Sequence, residues 1–135
     1  MKTGCFFLAS LCICVYSFAQ KQEYKSAIVA FYNLENFYDT VNNPNINDEE
    51  FLPAGPKNYT GKIYLTKVEH LATVISQIGT DINADGPALL GVAEIENDTV
   101  LNDLIHQPLL KSRNYSFVHY DSKDIRGIDV RSEYK

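Results

Sequence analysis

A chain of 135 residues with 45% apolar side chains has room for one domain around one hydrophobic core. Its 12 Lys and Arg stand against 17 Asp and Glu, a formal net charge of −5, and no basic run occurs anywhere. Non-specific hold on nucleic acid comes from Lys and Arg displacing counterions, so tight DNA binding by this chain alone is not expected.

The N-terminus reads as a signal peptide over residues 1–19. Lys2 supplies the positive start, Cys5 to Phe18 is uncharged and mostly apolar, and Ser17-Phe18-Ala19 puts small residues where a signal peptidase cuts. The run is shorter than the ~20 apolar residues a membrane helix needs. Gln20-Lys21-Gln22-Glu23 is abruptly polar. A secreted or periplasmic product with no transmembrane segment after leader removal is expected. Cys5, Cys12 and Cys14 all lie in the leader, so the mature chain has no disulfide framework, thiolate nucleophile or cysteine zinc site. Cleavage removes Lys2 and no acid, leaving eleven basic against seventeen acidic side chains, net −6.

Ala27 to Tyr32 is a continuous apolar run and predicts a strand buried on both faces. Residues 39–62, rich in Asn, Asp, Pro and Gly, predict a long loop. Thr66 to Ile78 predicts a helix opened by a Thr66/Glu69 capping box. Its apolar stripe is Val68, Leu71, Val74, Ile75 and Ile78, and Gly79 closes it. Ala88 to Ala93 predicts a second buried strand, parallel to the first, ending in Glu94. Asp98 or Thr99 caps a second helix through Val100, Leu101, Leu104 and Ile105, which Pro108 stops. Tyr115 to Tyr120 predicts a third strand. After a polar turn at Asp121 to Arg126, Gly127 to Val130 begins a fourth, antiparallel to it.

Both parallel strands end in acids: Asn33 and Glu35 after the first, Glu94 after the second. Ligands gather at the carboxyl ends of parallel strands. An extended chain would point Asn33 and Glu35 the same way, with Glu94 opposite. Paired carboxylates repel unless a cation lies between them, and hard oxygen donors suit Mg²⁺, with Mn²⁺ or Ca²⁺ as alternatives. The same residue types also serve as ordinary turn and cap residues. Glu96, two beyond Glu94, could share the site but reads better as a solvated loop acid. Arg126 is a candidate phosphate contact, against the alternative of pairing Asp121 or Asp124. His70, His106 and His119 read as structural or surface residues. Tyr115, Phe117 and Tyr120 read as core. Asn58, Asn97 and Asn114 each begin a glycosylation sequon.

The run Ile28-Val29-Ala30-Phe31-Tyr32-Asn33-Leu34-Glu35-Asn36 resembles the first signature of the endonuclease/exonuclease/phosphatase superfamily, the deoxyribonuclease-I-like fold. Leu89-Leu90-Gly91-Val92-Ala93-Glu94-Ile95-Glu96-Asn97 resembles the second, whose strand ends in a metal-binding Glu, and Asp124-Ile125-Arg126-Gly127-Ile128-Asp129-Val130 resembles the segment leading into the next core strand. The resemblance implies an α/β (α+β) fold: the front part of a four-layer α/β/β/α sandwich, a βαβ start followed by mixed strands. It implies an exported metal-dependent phosphoesterase or phosphodiesterase, a nuclease-like hydrolase acting on phosphate esters, nucleic acid among them. Glu94 and Glu35 would be metal ligands and Asn33 catalytic. The superfamily's Asp-x-Asn pair and C-terminal Asp-His are read as absent, and Arg131-Ser132-Glu133-Tyr134-Lys135 departs from a small, apolar strand ending. This suggests a truncated N-terminal portion over residues 20–135, missing a C-terminal half and catalytically incomplete. The alternative is a non-catalytic exported remnant or a partner-dependent binding segment.

Mass spectrometry of the exported protein is expected to give an N-terminus at Gln20. Protein in the soluble cell fraction that keeps Met1 would count against the leader.

Overall fold

The structure is a computed structural model and describes residues 24–118, 124 and 126–134; the leader and the expectations for His119, Tyr120 and Asp121 fall outside them. The first strand, β1, spans Val29–Phe37 and runs on through Asn33 and Glu35. It is not buried on both faces. Val29 is 72% and Phe31 64% exposed, while Ala30 and Tyr32 pack against the core. The reason lies in the layering. β1 is an edge strand, and helices cover one face of its sheet.

A long loop follows, holding a single 3₁₀ turn at Glu49–Phe51. Phe51 stacks on Tyr38 with ring centroids 4.1 Å apart and meets Tyr59 edge-on at 5.8 Å. The loop is thus pinned by aromatic packing at both its ends. It stops short of Lys62, because helix α1 spans Gly61–Gln77 with Thr60 as its extended N-cap.

The expected capping box is therefore wrong: Thr66 and Glu69 lie inside α1. Tyr64 extends the apolar stripe upstream, so the buried row is Tyr64, Val68, Leu71, Ala72 and Ile75, and Val74 is exposed. The Tyr64 hydroxyl donates to Asp103 Oδ2 at 2.6 Å, which ties the first turn of α1 to the next helix. Gly79 follows with φ +69, as the helix ending required. A Cβ there would also meet Ile28 Cδ1 at 2.6 Å.

Strand β2, Leu89–Ile95, pairs parallel with β1. Helix α2 spans Asp98–Ile105 and is capped by neither Asp98 nor Thr99. Asn97 does it: its Oδ1 accepts from the Thr99 and Val100 amides at 2.8 and 3.1 Å. Pro108, expected as a stop, opens the short helix α3, Pro108–Lys111, where its missing N–H costs nothing. Strands β3, Ser116–Val118, and β4, Asp129–Tyr134, are antiparallel. The charged ending that departs from a buried strand nonetheless stays in β4, with Arg131 to Tyr134 in register against Val92 to Leu89.

The sheet order is β1-β2-β4-β3. Its helix-facing side supplies Leu34, Leu90 and Val92 to a core completed by α1, α2 and Leu110 of α3. Tyr115 is buried there and its hydroxyl donates to the Pro87 carbonyl at 2.9 Å, so it is core as expected. The fold class is α/β, as expected. The described residues build one mixed sheet and one helical layer. No described helix is long and apolar enough to cross a membrane.

Ile75 and Val74 are neighbours with opposite surroundings. Ile75→Ala is expected to cost about 2–5 kcal/mol in urea unfolding. Val74→Ala should stay within about 0.5 kcal/mol. Equal losses would mean that the α1 stripe is misassigned.

Candidate active site

β1 and β2 stay in step from Val29↔Leu89 to Asn33↔Ala93 and regain pairing at Phe37↔Ile95. Between those points β1 carries three residues and β2 carries one, Glu94. The mismatch is taken up by left-handed backbone at Glu35 (φ 53), Asn36 (φ 56) and Glu94 (φ 62). None is glycine, and such conformations cost on the order of 1–3 kcal/mol each unless their surroundings hold them. The extended geometry expected for Asn33 and Glu35 is thus replaced by a bulge.

Hydrogen bonds hold it. Asn33 Nδ2 donates to Glu94 Oε1 at 3.0 Å, and the Asn36 amide donates to Glu94 Oε2 at 3.0 Å. The Glu35 amide donates to Asn33 Oδ1 at 2.7 Å. Both oxygens of Glu94 are therefore oriented from β1, and each keeps further acceptor capacity. Glu35 is exposed. It shares a groove of about 640 Å³ with Asn33, Lys67, His70 and the apolar side chains of Ile63 and Val74. So Asn33 and Glu94 are joined directly, while Glu35 lines the groove beside Asn33.

Lys67 had not been singled out. Its ammonium donates to the carbonyls of Glu35 at 2.5 Å and Asn36 at 3.1 Å. Burial lowers its pKa, and the nearby Glu35 and Glu94 charges oppose that. The one signal was positional: a charge beside Val68 and one turn before Leu71, both on the buried face.

Glu96 is corrected most sharply. It is no solvated loop acid but 7% exposed. Its Oε2 accepts from the Asp39 amide at 2.9 Å, and its own amide donates to the Phe37 carbonyl at 3.1 Å. Burial first, and then the Asp39 and Asp48 charges, push its pKa up to about 7. Asn97 donates to Asp39 Oδ2 at 3.0 Å while capping α2, so this sequon asparagine is fully engaged.

Arg126 takes the pairing alternative. Its guanidinium reaches Asp124 Oδ2 at 2.8 Å and Oδ1 at 3.2 Å. Tyr38 donates to its carbonyl at 2.7 Å, and its side chain lines a second groove with Asn36. His70 and His106 are exposed, as expected. The chain does spell one Asp-x-Asn, at Asp81-Ile82-Asn83, against the reading that it has none. Asn83 donates to the Ser26 carbonyl at 3.1 Å, ahead of the first residue of β1. It lies at the far end of the sheet and cannot act on anything held at Glu94.

Among the described residues no group of three His, Cys, Asp or Glu side chains could hold a metal ion. The donors at the bulge are carboxylate and amide oxygens, with the His70 imidazole lining the same groove. They fit a hard divalent cation bound at an open position, with Glu94 preset and Glu35 free to turn in.

The sequence profile of the Endonuclease/Exonuclease/phosphatase family matches residues 28–135, and the chain belongs to that family. Its members are nuclease- or phosphatase-like hydrolases that typically use divalent metals. No curated protein and no solved structure matches the chain.

Glu96 gives a pH dependence. Its folded pKa lies above the usual carboxylate value, so the native state binds the proton more tightly than the unfolded chain. The stabilisation from this group is fully present below about pH 4.5 and is lost as pH rises to about 7. The metal-free protein should lose up to roughly 3 kcal/mol across that window relative to Glu96→Gln. Parallel pH profiles of unfolding free energy for the two would rule this out.

Proposed function

We propose that the chain is an exported, metal-dependent phosphoric-ester hydrolase by descent, directed at phosphodiesters, in which Glu94 is the principal metal ligand. The observation that carries this reading is the grip on Glu94. A carboxylate in a left-handed residue, with each oxygen held by a different donor from the neighbouring strand, is fixed at the cost of backbone strain. Strain retained at one end of a parallel strand pair is what a ligand site accounts for and a turn does not.

Glu35, free at the rim, would supply the second carboxylate. Asn33 has two amide hydrogens and spends one on Glu94, leaving the other to orient a phosphate oxygen or the attacking water. A divalent cation held by these groups, Mg²⁺ first and Mn²⁺ or Ca²⁺ as alternatives, would supply neutralisation of charge developing on the phosphate and the leaving oxygen. Arg126, which lines a groove with Asn36, would meet a more distant part of the substrate.

Proton transfer to or from the nucleophile and the leaving group needs further side chains. The described residues offer none at the clamp beyond those named. The sole Asp-x-Asn is remote, and no Asp-His sequence occurs. This favours a second reading for residues 20–135 on their own: a metal-binding segment without turnover. A nucleic-acid, lipid or sugar phosphate is open to the parent activity.

Isothermal titration of residues 20–135 with Mn²⁺ and Mg²⁺ should show binding that falls at least ~10-fold in Glu94→Gln. Bis-para-nitrophenyl phosphate and plasmid DNA should not be turned over. Equal metal binding by wild type and variant would sink the ligand assignment. Turnover that disappears in Glu94→Gln would instead show that other residues of this chain complete the site.

A further inference from the structure

The bulge brings two backbone carbonyls, those of Glu35 and Asn36, to within 2.5 and 3.1 Å of one nitrogen, Lys67 Nζ. Two carbonyl oxygens converging on one point repel each other unless a cation stands between them. The left-handed conformations of Glu35 and Asn36 are what turn those oxygens toward α1, and the same turn aims the Asn36 amide at Glu94 Oε2. The Glu35 carbonyl and the Asn36 amide are opposite ends of one planar peptide unit, and the Asn36 carbonyl belongs to the next. A group that fixes the carbonyls fixes the amide.

Burying an ammonium is costly unless its donors are used. Lys67 sits half-buried on α1 next to Val68, with its charge 5.9 Å from the Phe37 ring centroid. A surface lysine would leave its head in water. This one directs two of its three donors onto the bulge.

We propose that Lys67 is a positioning residue for the metal-binding carboxylate: by holding the Glu35 and Asn36 carbonyls it locks the consecutive left-handed residues whose amide grips Glu94. The inference rests on the reading of Glu94 given above, but its geometry can be tested without metal. Lys67 does not touch substrate. Its effect passes through backbone to Asn36 and from there to Glu94.

The test follows amide hydrogen exchange by NMR in metal-free protein covering residues 20–135, with Mn²⁺ affinity read separately by titration calorimetry. In Lys67→Met, which keeps the apolar stem, the Asn36 amide should exchange at least tenfold faster while Leu71 and Ile75 on the same helix stay protected. Lys67→Arg should restore most of the Asn36 protection. Mn²⁺ affinity should fall in Lys67→Met and recover in Lys67→Arg. If that variant fails to fold, the wild-type Lys67 ammonium is read directly: held by two carbonyls, its protons should exchange slowly enough to give a nitrogen-correlated signal. Unchanged Asn36 exchange in Lys67→Met would overturn the proposal, as would equal acceleration at Leu71 and Ile75, or a wild-type ammonium in fast exchange with water. Absence of Mn²⁺ binding by the wild type would overturn the metal-ligand reading instead and leave the exchange result to decide Lys67.

Discussion

Between Asn33 and Phe37 the first strand has more chain than its parallel neighbour can match, and Glu94 alone faces the excess. Three residues enter the left-handed region to absorb it. Because none is glycine, the arrangement exists only where neighbouring groups hold it. Asn33 and the Asn36 amide, both on β1, grip the one carboxylate on β2, and Lys67 on α1 holds the carbonyls of the bulge. The position of Glu94 is therefore set by tertiary structure. It needs β1, β2 and α1 docked together, so a partly folded chain has no oriented carboxylate there.

One layer below, polar groups tie the long loop to the same strands. Glu96 receives the Asp39 amide, Asp39 receives Asn97, and Asn97 caps α2. Asp48, also buried, accepts from the Asn43 amide at 2.7 Å. Buried polar groups carry a desolvation cost that only such bonds offset. The run Glu94-Ile95-Glu96-Asn97 thus alternates sharply in role: one acid is gripped from β1, one is drawn into the protein, and the asparagine starts a helix.

The first two strands and their parallel pairing were legible because short apolar runs at 27–32 and 88–93 flank a helix, and strand, helix, strand returns parallel. Glu94 and Asn33 were legible because each ends such a run. The start of α1 was not. Thr66 and Glu69 match a capping box in spelling, but Tyr64 supplies packing against Phe37, with ring centroids 5.9 Å apart, and packing outweighs one cap. Single-sided burial of β1 was missed because an apolar run cannot say how many layers cover it. Glu96 was missed because burial of an acid depends on the Asp39 amide, and that residue belongs to a loop with no periodicity. Lys67 was missed for a related reason. Its partners are backbone carbonyls made available by a bulge, and no residue type announces a carbonyl. The family signature, in contrast, compresses the bulge into a short string, so recognition reached Asn33 and Glu35 although the extended geometry assumed for them was incorrect.

The bulge also reverses the sense of the strand. Before it, odd-numbered Val29 and Phe31 face away from the helices; after it, odd-numbered Phe37 is in the core. Substitutions between Leu34 and Phe37 change contacts, but a one-residue deletion would let regular alternation place Phe37 on the Leu34 face without a bulge, and the turn that aims the Asn36 amide at Glu94 would be lost. The spacing of this short stretch, more than its spelling, is what lineages carrying this fold have to preserve, and gaps in any alignment of its descendants should avoid it.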